Sequence, residues 1–229
     1  MPSLVNAFPL SIYQDKIPLD PAEKTTLVEA VMEMRAGPIR SRGGTGSWTG
    51  DVNGFERLHF DPRFDALFKR FAPHFKNYLQ FLRVDPELIR LYYTRSWATV
   101  STGDQTIAVH RHMQSHISLV YYLSAPPDSG SISFEEKDPY NQFVPQLFGK
   151  HMFDAGVVRE PNEFNAKSIS LDPSEGDILL FPSKIPHGTV PGKNREPRIS
   201  IAIDVVVAVR DSSALEFMLP DLDAWQAIE

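Results

Sequence analysis

Apolar positions follow two different periods along the 229-residue chain. Before residue 88 they recur at helical spacing. Leu27, Val31 and Met34 repeat behind Asp20-Pro21, an N-cap followed by proline at the first helical position. A stronger stripe follows a second Asp-Pro start at Asp61-Pro62: Phe64, Leu67, Phe68, Phe71, Phe75, Tyr78, Leu79 and Leu82. An aromatic stripe at this spacing reads as core. From about Leu88 the period shortens to that of strands. The runs are Ile89–Ser101, Ile107–His112, Ile117–Leu123, Ser131–Phe134, Ser168–Leu171, Asp177–Phe181, His187–Val190 and Arg198–Val209, with Gly, Pro and Asp clusters between them. So many short strands after two helices predict a closed or sandwiched β fold with helices packed on one side. The expected organisation is a single domain over 1–229. Residues 1–87 form a mostly helical support, 88–209 the β core, 135–167 an insertion and 210–229 a C-terminal segment. Loops as long as the insertion are often lids or binding loops; a rigid structural insertion is the other reading. The C-terminal Leu215–Ile228 reads as a docking helix or the contact of a homodimer.

Composition narrows the class. Apolar residues make up 42% and charged residues 23%, ordinary for a globular chain. No apolar run approaches membrane-spanning length, and no secretory signal pattern opens the chain, so a cytoplasmic location and no membrane partner are expected. The absence of cysteine excludes disulfides, thiolate metal sites and a cysteine nucleophile. A formal charge of −6 argues against nucleic acid as a partner. The local basic cluster Arg35, Arg40, Arg42 reads first as a solvated loop. The glycine-rich Ser41–Trp48 beside it lacks the lysine and the strand-to-helix setting of a phosphate loop. Ser183 and Ser200 have no nucleophile-elbow setting, which leaves serine-triad hydrolysis poorly supported.

The chemistry-bearing residues fall in the strand region. His110 and His112 are two apart, so a strand would aim both imidazoles to one face. A chance pair of surface histidines is the bland reading. The second piece is Glu175–Pro182, a turn and a buried strand, followed by His187. A turn at Pro191-Gly192-Lys193-Asn194 suggests a hairpin folding between Gly192 and Lys193, which would set His187 opposite Arg198. Ser200 shares the face of Arg198, while Ile199, Ile201 and Ile203 take the other. A buried arginine needs an anionic partner, and a dicarboxylate could supply it through paired hydrogen bonds.

His187, then ten intervening residues, then Arg198-Ile199-Ser200 resembles the His-x10-Arg-x-Ser signature of 2-oxoglutarate oxygenases. More closely, the chain is similar to a bacterial family of 2-oxoglutarate–Fe(II) oxygenases with a Ser-Trp-Ala-type strand, a His-x-His pair, a Val-Tyr-Tyr-Leu run and a Gly-Asp-x-Leu-x-Phe-Pro strand. Here these are Ser96–Ala98, His110 and His112, Val120–Leu123 and Gly176–Pro182. The likeness covers about residues 90–207. It implies a double-stranded β-helix (jelly-roll or cupin-like) with N-terminal helices on one sheet, and a dioxygenase using Fe(II), 2-oxoglutarate, O₂ and a small-molecule substrate. It implies that His110 and His187 are iron ligands and that Arg198 and Ser200 hold the distal carboxylate of 2-oxoglutarate. Tyr122 stands where related enzymes have a tyrosine bonding that carboxylate; a core aromatic is the equal alternative.

One departure stands out: position 112 is His where the usual triad has a carboxylate. Iron held by His110, His112 and His187 is the favoured reading, since imidazole suits Fe(II). The alternatives are a two-ligand site with His112 outside it, or a carboxylate arriving from Asp104, Glu135 or Glu136. His116 is either a pocket residue behind the ligands or structural. His59, His74 and His151 carry no partner pattern. Walls for the substrate are expected from Trp48, Trp97 and the 135–167 segment. Two rival functions remain: a cupin-like three-His metalloenzyme that uses no 2-oxoglutarate, and a non-catalytic β-helix binding module.

Overall fold

The structure is a computed structural model and describes residues 7–36, 56–213 and 215–228. Arg40, Arg42, the Ser41–Trp48 loop and the pocket wall expected from Trp48 lie outside the described residues.

Among the described residues, nine strands form two sheets. The chain enters as β1 (Tyr13–Lys16), then α1 (Pro21–Ala36) and α2 (Asp65–Phe81). Both Asp-Pro starts work as read. The Asp20 carboxylate accepts from the Glu23 amide at 2.9 Å, and that of Asp61 from Arg63 at 3.0 Å. Asp20 thereby offsets one unpaired first-turn donor of α1, whereas Asp61 caps the 3-10 turn Pro62–Phe64 that leads into α2 at Asp65. The apolar stripe of α2 is buried from Phe64 to Leu79. Leu82 departs from the expectation: the helix ends at Phe81 and Leu82 turns outward.

The strands that follow are β2 (Ile89–Ser101), β3 (Ile117–Ser124), β4 (Ile132–Glu135), β5 (Ser168–Leu171), β6 (Asp177–Pro182), β7 (His187–Thr189), β8 (Arg198–Val209) and β9 (Leu219–Pro220), with α3 (Lys150–Asp154) between β4 and β5. The larger sheet runs β1-β6-β3-β8-β2, with β9 beside β8; the smaller runs β5-β4-β7. All pairings are antiparallel except that of β9 with β8. This is the mainly-β architecture of a double-stranded β-helix, with α1 and α2 covering the outer face of the larger sheet.

Strand alternation builds the two cores. Leu119, Tyr121, Ile178, Leu180, Ile199, Ile201 and Ile203 pack with the helical residues Leu27, Val31, Phe71 and Phe75. Tyr122, Leu179 and Phe181 turn the other way and pack with Ile132 and Phe134 of the smaller sheet. The site lies between the sheets, on this second side.

Two sequence expectations fail locally. Residues 107–112 do not form a regular strand; they meet the smaller sheet only at isolated points, the His110–His187 bridge and the Ile107–Thr189 contact. Their backbone bonds are divided: Thr189 donates to Ile107 at 3.0 Å, but the His112 amide donates to Ser183 at 2.9 Å. The hairpin across Gly192–Lys193 also does not form. β7 pairs with β4, and β8 with β2 and β3. The linking chain crosses between sheets and bonds to loops instead, Gly192 to Gly103 at 3.0 Å and Lys193 to Asp128 at 2.7 Å.

The 135–167 insertion is neither wholly irregular nor a cavity wall. It carries α3, its neck is closed by a bond from Glu136 to Lys167 at 2.9 Å, and no residue from 136 to 167 lines the central cleft. The C-terminal segment forms β9 and one short 3-10 turn, not a docking helix.

Candidate metal and dicarboxylate site

His110, His112 and His187 converge, although a regular strand does not bring them together. Their ligand-capable nitrogens all lie within 4.8 Å of one another. His110 and His187 exchange both backbone bonds, each at 2.9 Å. The close approach depends on Gly188: a Cβ there would stand 2.9 Å from the Ile107 carbonyl oxygen and 3.1 Å from the Val109 nitrogen. His187 starts β7 directly after the Ser183–Pro186 turn leaving β6.

Tautomers follow from hydrogen-bond partners. The Nδ1 of His110 lies 2.8 Å from the Ala108 carbonyl, and that of His187 2.8 Å from the Ile185 carbonyl. The Nδ1 of His112 lies 2.5 Å from the Asp204 carboxylate. All three partners only accept, so each Nδ1 donates and each Nε2 is left with its lone pair. The Nε2 atoms of His110 and His112 stand 2.9 Å apart. Two facing lone pairs at that distance repel unless a cation or a shared proton lies between them. Burial holds His110 below its ordinary pKa and pushes His187 down to about 4, so a shared proton is disfavoured near neutral pH. Two nitrogens bound side by side at ~2.1 Å from one metal ion stand ~3 Å apart. The donor set therefore fits a divalent cation that accepts imidazole, Fe(II) among them. Asp104, Glu135 and Glu136 do not join the cluster.

The same cleft encloses about 550 Å³, open mouth included, and is also lined by Trp97, Tyr122, Arg198 and Ser200. Arg198 is 3% exposed. Its Nη1 donates to the Ser129 carbonyl at 3.0 Å and, more weakly, to that of Gly130 at 3.4 Å. No carboxylate among the described residues pairs with it. Burial lowers its pKa, the penalty expected of a desolvated charge. Burial also pushes Tyr122 up to about 12, so its hydroxyl is protonated and can donate. Arg198 and His187 thus share a cavity from opposite sheets, rather than as hairpin partners.

His116 is not part of this site. It is exposed, and its Nδ1 accepts from the Val207 amide at 3.0 Å on the edge of β8. The residue missed by sequence reading is Asp204, fully buried behind His112. Strand alternation was a usable signal: Arg198, Ser200, Ala202 and Asp204 share one face of β8.

Fold and cleft together define a double-stranded β-helix whose cleft holds three converging histidines and a buried arginine. Residues 95–204 match the family model described as "Putative 2OG-Fe(II) oxygenase". That match spans just under half of the chain and includes the strands that carry the site, so the chain is similar to that 2-oxoglutarate–Fe(II) oxygenase group there. Solved structures with the same fold include the epimerase SnoN in complex with Fe³⁺, α-ketoglutarate and nogalamycin RO, at 16% identity and TM-score 0.56, covering 96% of this chain and 90% of that one. HygX from Streptomyces hygroscopicus, solved with nickel and 2-oxoglutarate, gives 14% identity and TM-score 0.51 over 86% and 82%. AviO1 from Streptomyces viridochromogenes Tue57 gives 15% and 0.52 over 86% and 90%. No curated protein matches the chain. Among the described residues no helix is long and apolar enough to cross a membrane.

Proposed function

We propose that the protein hydroxylates a small molecule or a side chain at the carbon presented to its metal, consuming 2-oxoglutarate and O₂ and releasing succinate and CO₂. His110, His112 and His187 hold Fe(II) through Nε2. Arg198, Ser200 and Tyr122 receive the distal carboxylate of 2-oxoglutarate. Iron, when bound, supplies the centre at which O₂ is reduced as the keto acid is split, one oxygen atom entering succinate and the other the substrate.

The chain's own work is binding and exclusion. Arg198 offers an unneutralised charge at low dielectric, where a carboxylate gains most from it. Tyr122 adds a neutral donor and Ser200 a hydroxyl. Ile132, Val120 and Trp97 line the cleft with apolar surface that excludes water. The observation that carries this reading is the buried guanidinium, without a carboxylate partner among the described residues, in the same cleft as three Nε2 lone pairs. A three-His metalloenzyme that used no 2-oxoglutarate would have no use for it.

The test is succinate release. Metal-free protein given Fe(II), ascorbate, O₂ and 2-oxoglutarate should release succinate slowly even with no added substrate. Arg198→Ala should abolish this while still binding Fe(II). Succinate release that survives Arg198→Ala would remove 2-oxoglutarate from the reading.

A further inference from the structure

The three imidazoles are not held alike. His110 and His187 donate their outer N–H to neutral backbone carbonyls, whereas His112 donates to a carboxylate. That carboxylate, Asp204, has no exposure to solvent. Its Oδ1 also accepts from the Ser115 hydroxyl at 3.2 Å, and its Oδ2 from the Gln114 side chain at 3.2 Å, with Arg95 Nη1 at 3.7 Å. The Ser115 and Ser183 hydroxyl oxygens lie 2.9 Å apart, and Ser118 lies 2.9 Å from Ser183 on its other side, so the network continues behind Asp204. Trp97 closes one side of the His112 ring, with centroids 5.8 Å apart, and carries Arg95 over its own ring at 5.0 Å. A buried carboxylate is costly unless its oxygens are satisfied. These contacts satisfy it while leaving it out of reach of the cavity, so its hydrogen-bonded contact with the metal cup is made through one imidazole, while its charge is also felt, more weakly, at His110 and His187.

We propose that Asp204 is a positioning residue for the metal centre: it fixes the His112 ring with Nε2 facing the cavity and places a negative charge one imidazole away from a dication otherwise met by three neutral donors. The inference rests on His112 being a ligand, as in the function proposed above. A carboxylate behind a ligating histidine fixes its tautomer and makes it a stronger donor, an effect that commonly amounts to about 10–100-fold in metal affinity.

The experiment is anaerobic titration of metal-free protein with Fe(II) in competition with a chromophoric chelator. It compares the wild type, Asp204→Asn, His112→Ala and the double variant. Asp204→Asn keeps the shape and one acceptor but loses the charge. It should weaken Fe(II) binding ~10–100-fold. In the His112→Ala background the same change should cost much less, because the hydrogen-bonded part of the effect passes through that ring and only the longer-range charge remains. Asp204→Asn binding within about twofold of wild type overturns the inference, as does equal weakening in both backgrounds, which would mark a purely structural role. Full affinity in His112→Ala overturns the ligand assignment itself, a separate outcome. A wild-type readout guards against a variant that does not fold. In protein ¹⁵N-labelled at histidine, Zn(II) should coordinate His112 through Nε2 while its Nδ1 stays protonated; coordination through Nδ1 overturns the inference.

Discussion

The two faces of β8 are made from one stretch of chain and do opposite jobs. Ile199, Ile201, Ile203 and Val205 are almost wholly buried against the helices. Arg198, Ser200, Ala202 and Asp204 alternate with them and face the cleft or the network behind it. Both faces exclude solvent, but only the first gains stability from doing so. Burying apolar surface is favourable at roughly 25 cal/mol per Å², whereas burying an arginine without a carboxylate beside it is a cost the fold must carry. The strand shows stability and binding capacity separated by a single residue of register.

Each face can be broken separately. The largest expected effect is on the helix side. Ile201→Ala should lower unfolding free energy by about 2–5 kcal/mol in urea, while the folded fraction keeps its Fe(II) affinity. On the cleft side the sign should reverse. Arg198→Met removes a buried charge and should leave the metal-free melting temperature equal or higher, while 2-oxoglutarate binding weakens by about 2–5 kcal/mol in anaerobic titration. A lower melting temperature in Arg198→Met would show that the cleft face also stabilises the fold.

Protonation sharpens the contrast. His187 is depressed to about 4 in the folded protein by burial, against an unfolded value of about 6.5. Between those values the unfolded chain takes up a proton that the folded chain refuses. The stability associated with the neutral ring is therefore complete above about pH 6.5 and is lost as pH falls toward 4, by at most about 3 kcal/mol. Metal-free protein followed by urea denaturation from pH 7.5 to 4.5 should show this loss, and His187→Gln should flatten it. The smallest effect is expected at Tyr122. Tyr122→Phe keeps the ring that packs beside Leu179 and Phe181, so melting should hardly move, while the KM for 2-oxoglutarate rises by the ~0.5–1.5 kcal/mol of one hydrogen bond.

Periodicity made most of the framework legible. The helix starts at Asp20 and Asp61, the long strands β2, β3 and β8 and the shorter ones through β6 and β7 are all visible as apolar repeats with turn residues between them. β1 was not, because Tyr13–Lys16 is a polar edge strand with only Tyr13 buried and carries no alternation to read. The histidines and Arg198 were identifiable by residue type and order, but their arrangement was not. His110 and His112 meet through bonds to two different partners, His187 and Ser183, rather than through strand geometry. His187 and Arg198 meet across sheets, a relation set by tertiary pairing that a local turn cannot reveal. Asp204 lay within reach of the alternation argument, had it been carried four residues beyond Ser200.

Gly188 adds a constraint that concerns how such a protein can diversify. With no room for a methyl group between β7 and the 107–109 backbone, any side chain at this position would pry the chain carrying His187 away from that carrying His110. Variation that retunes the cleft for new substrates must therefore pass around residue 188. Ile107 lines the same wall with a side chain of its own and is where selection has more freedom to act, whereas the Thr189 hydroxyl is tied to the Ile107 amide at 2.7 Å.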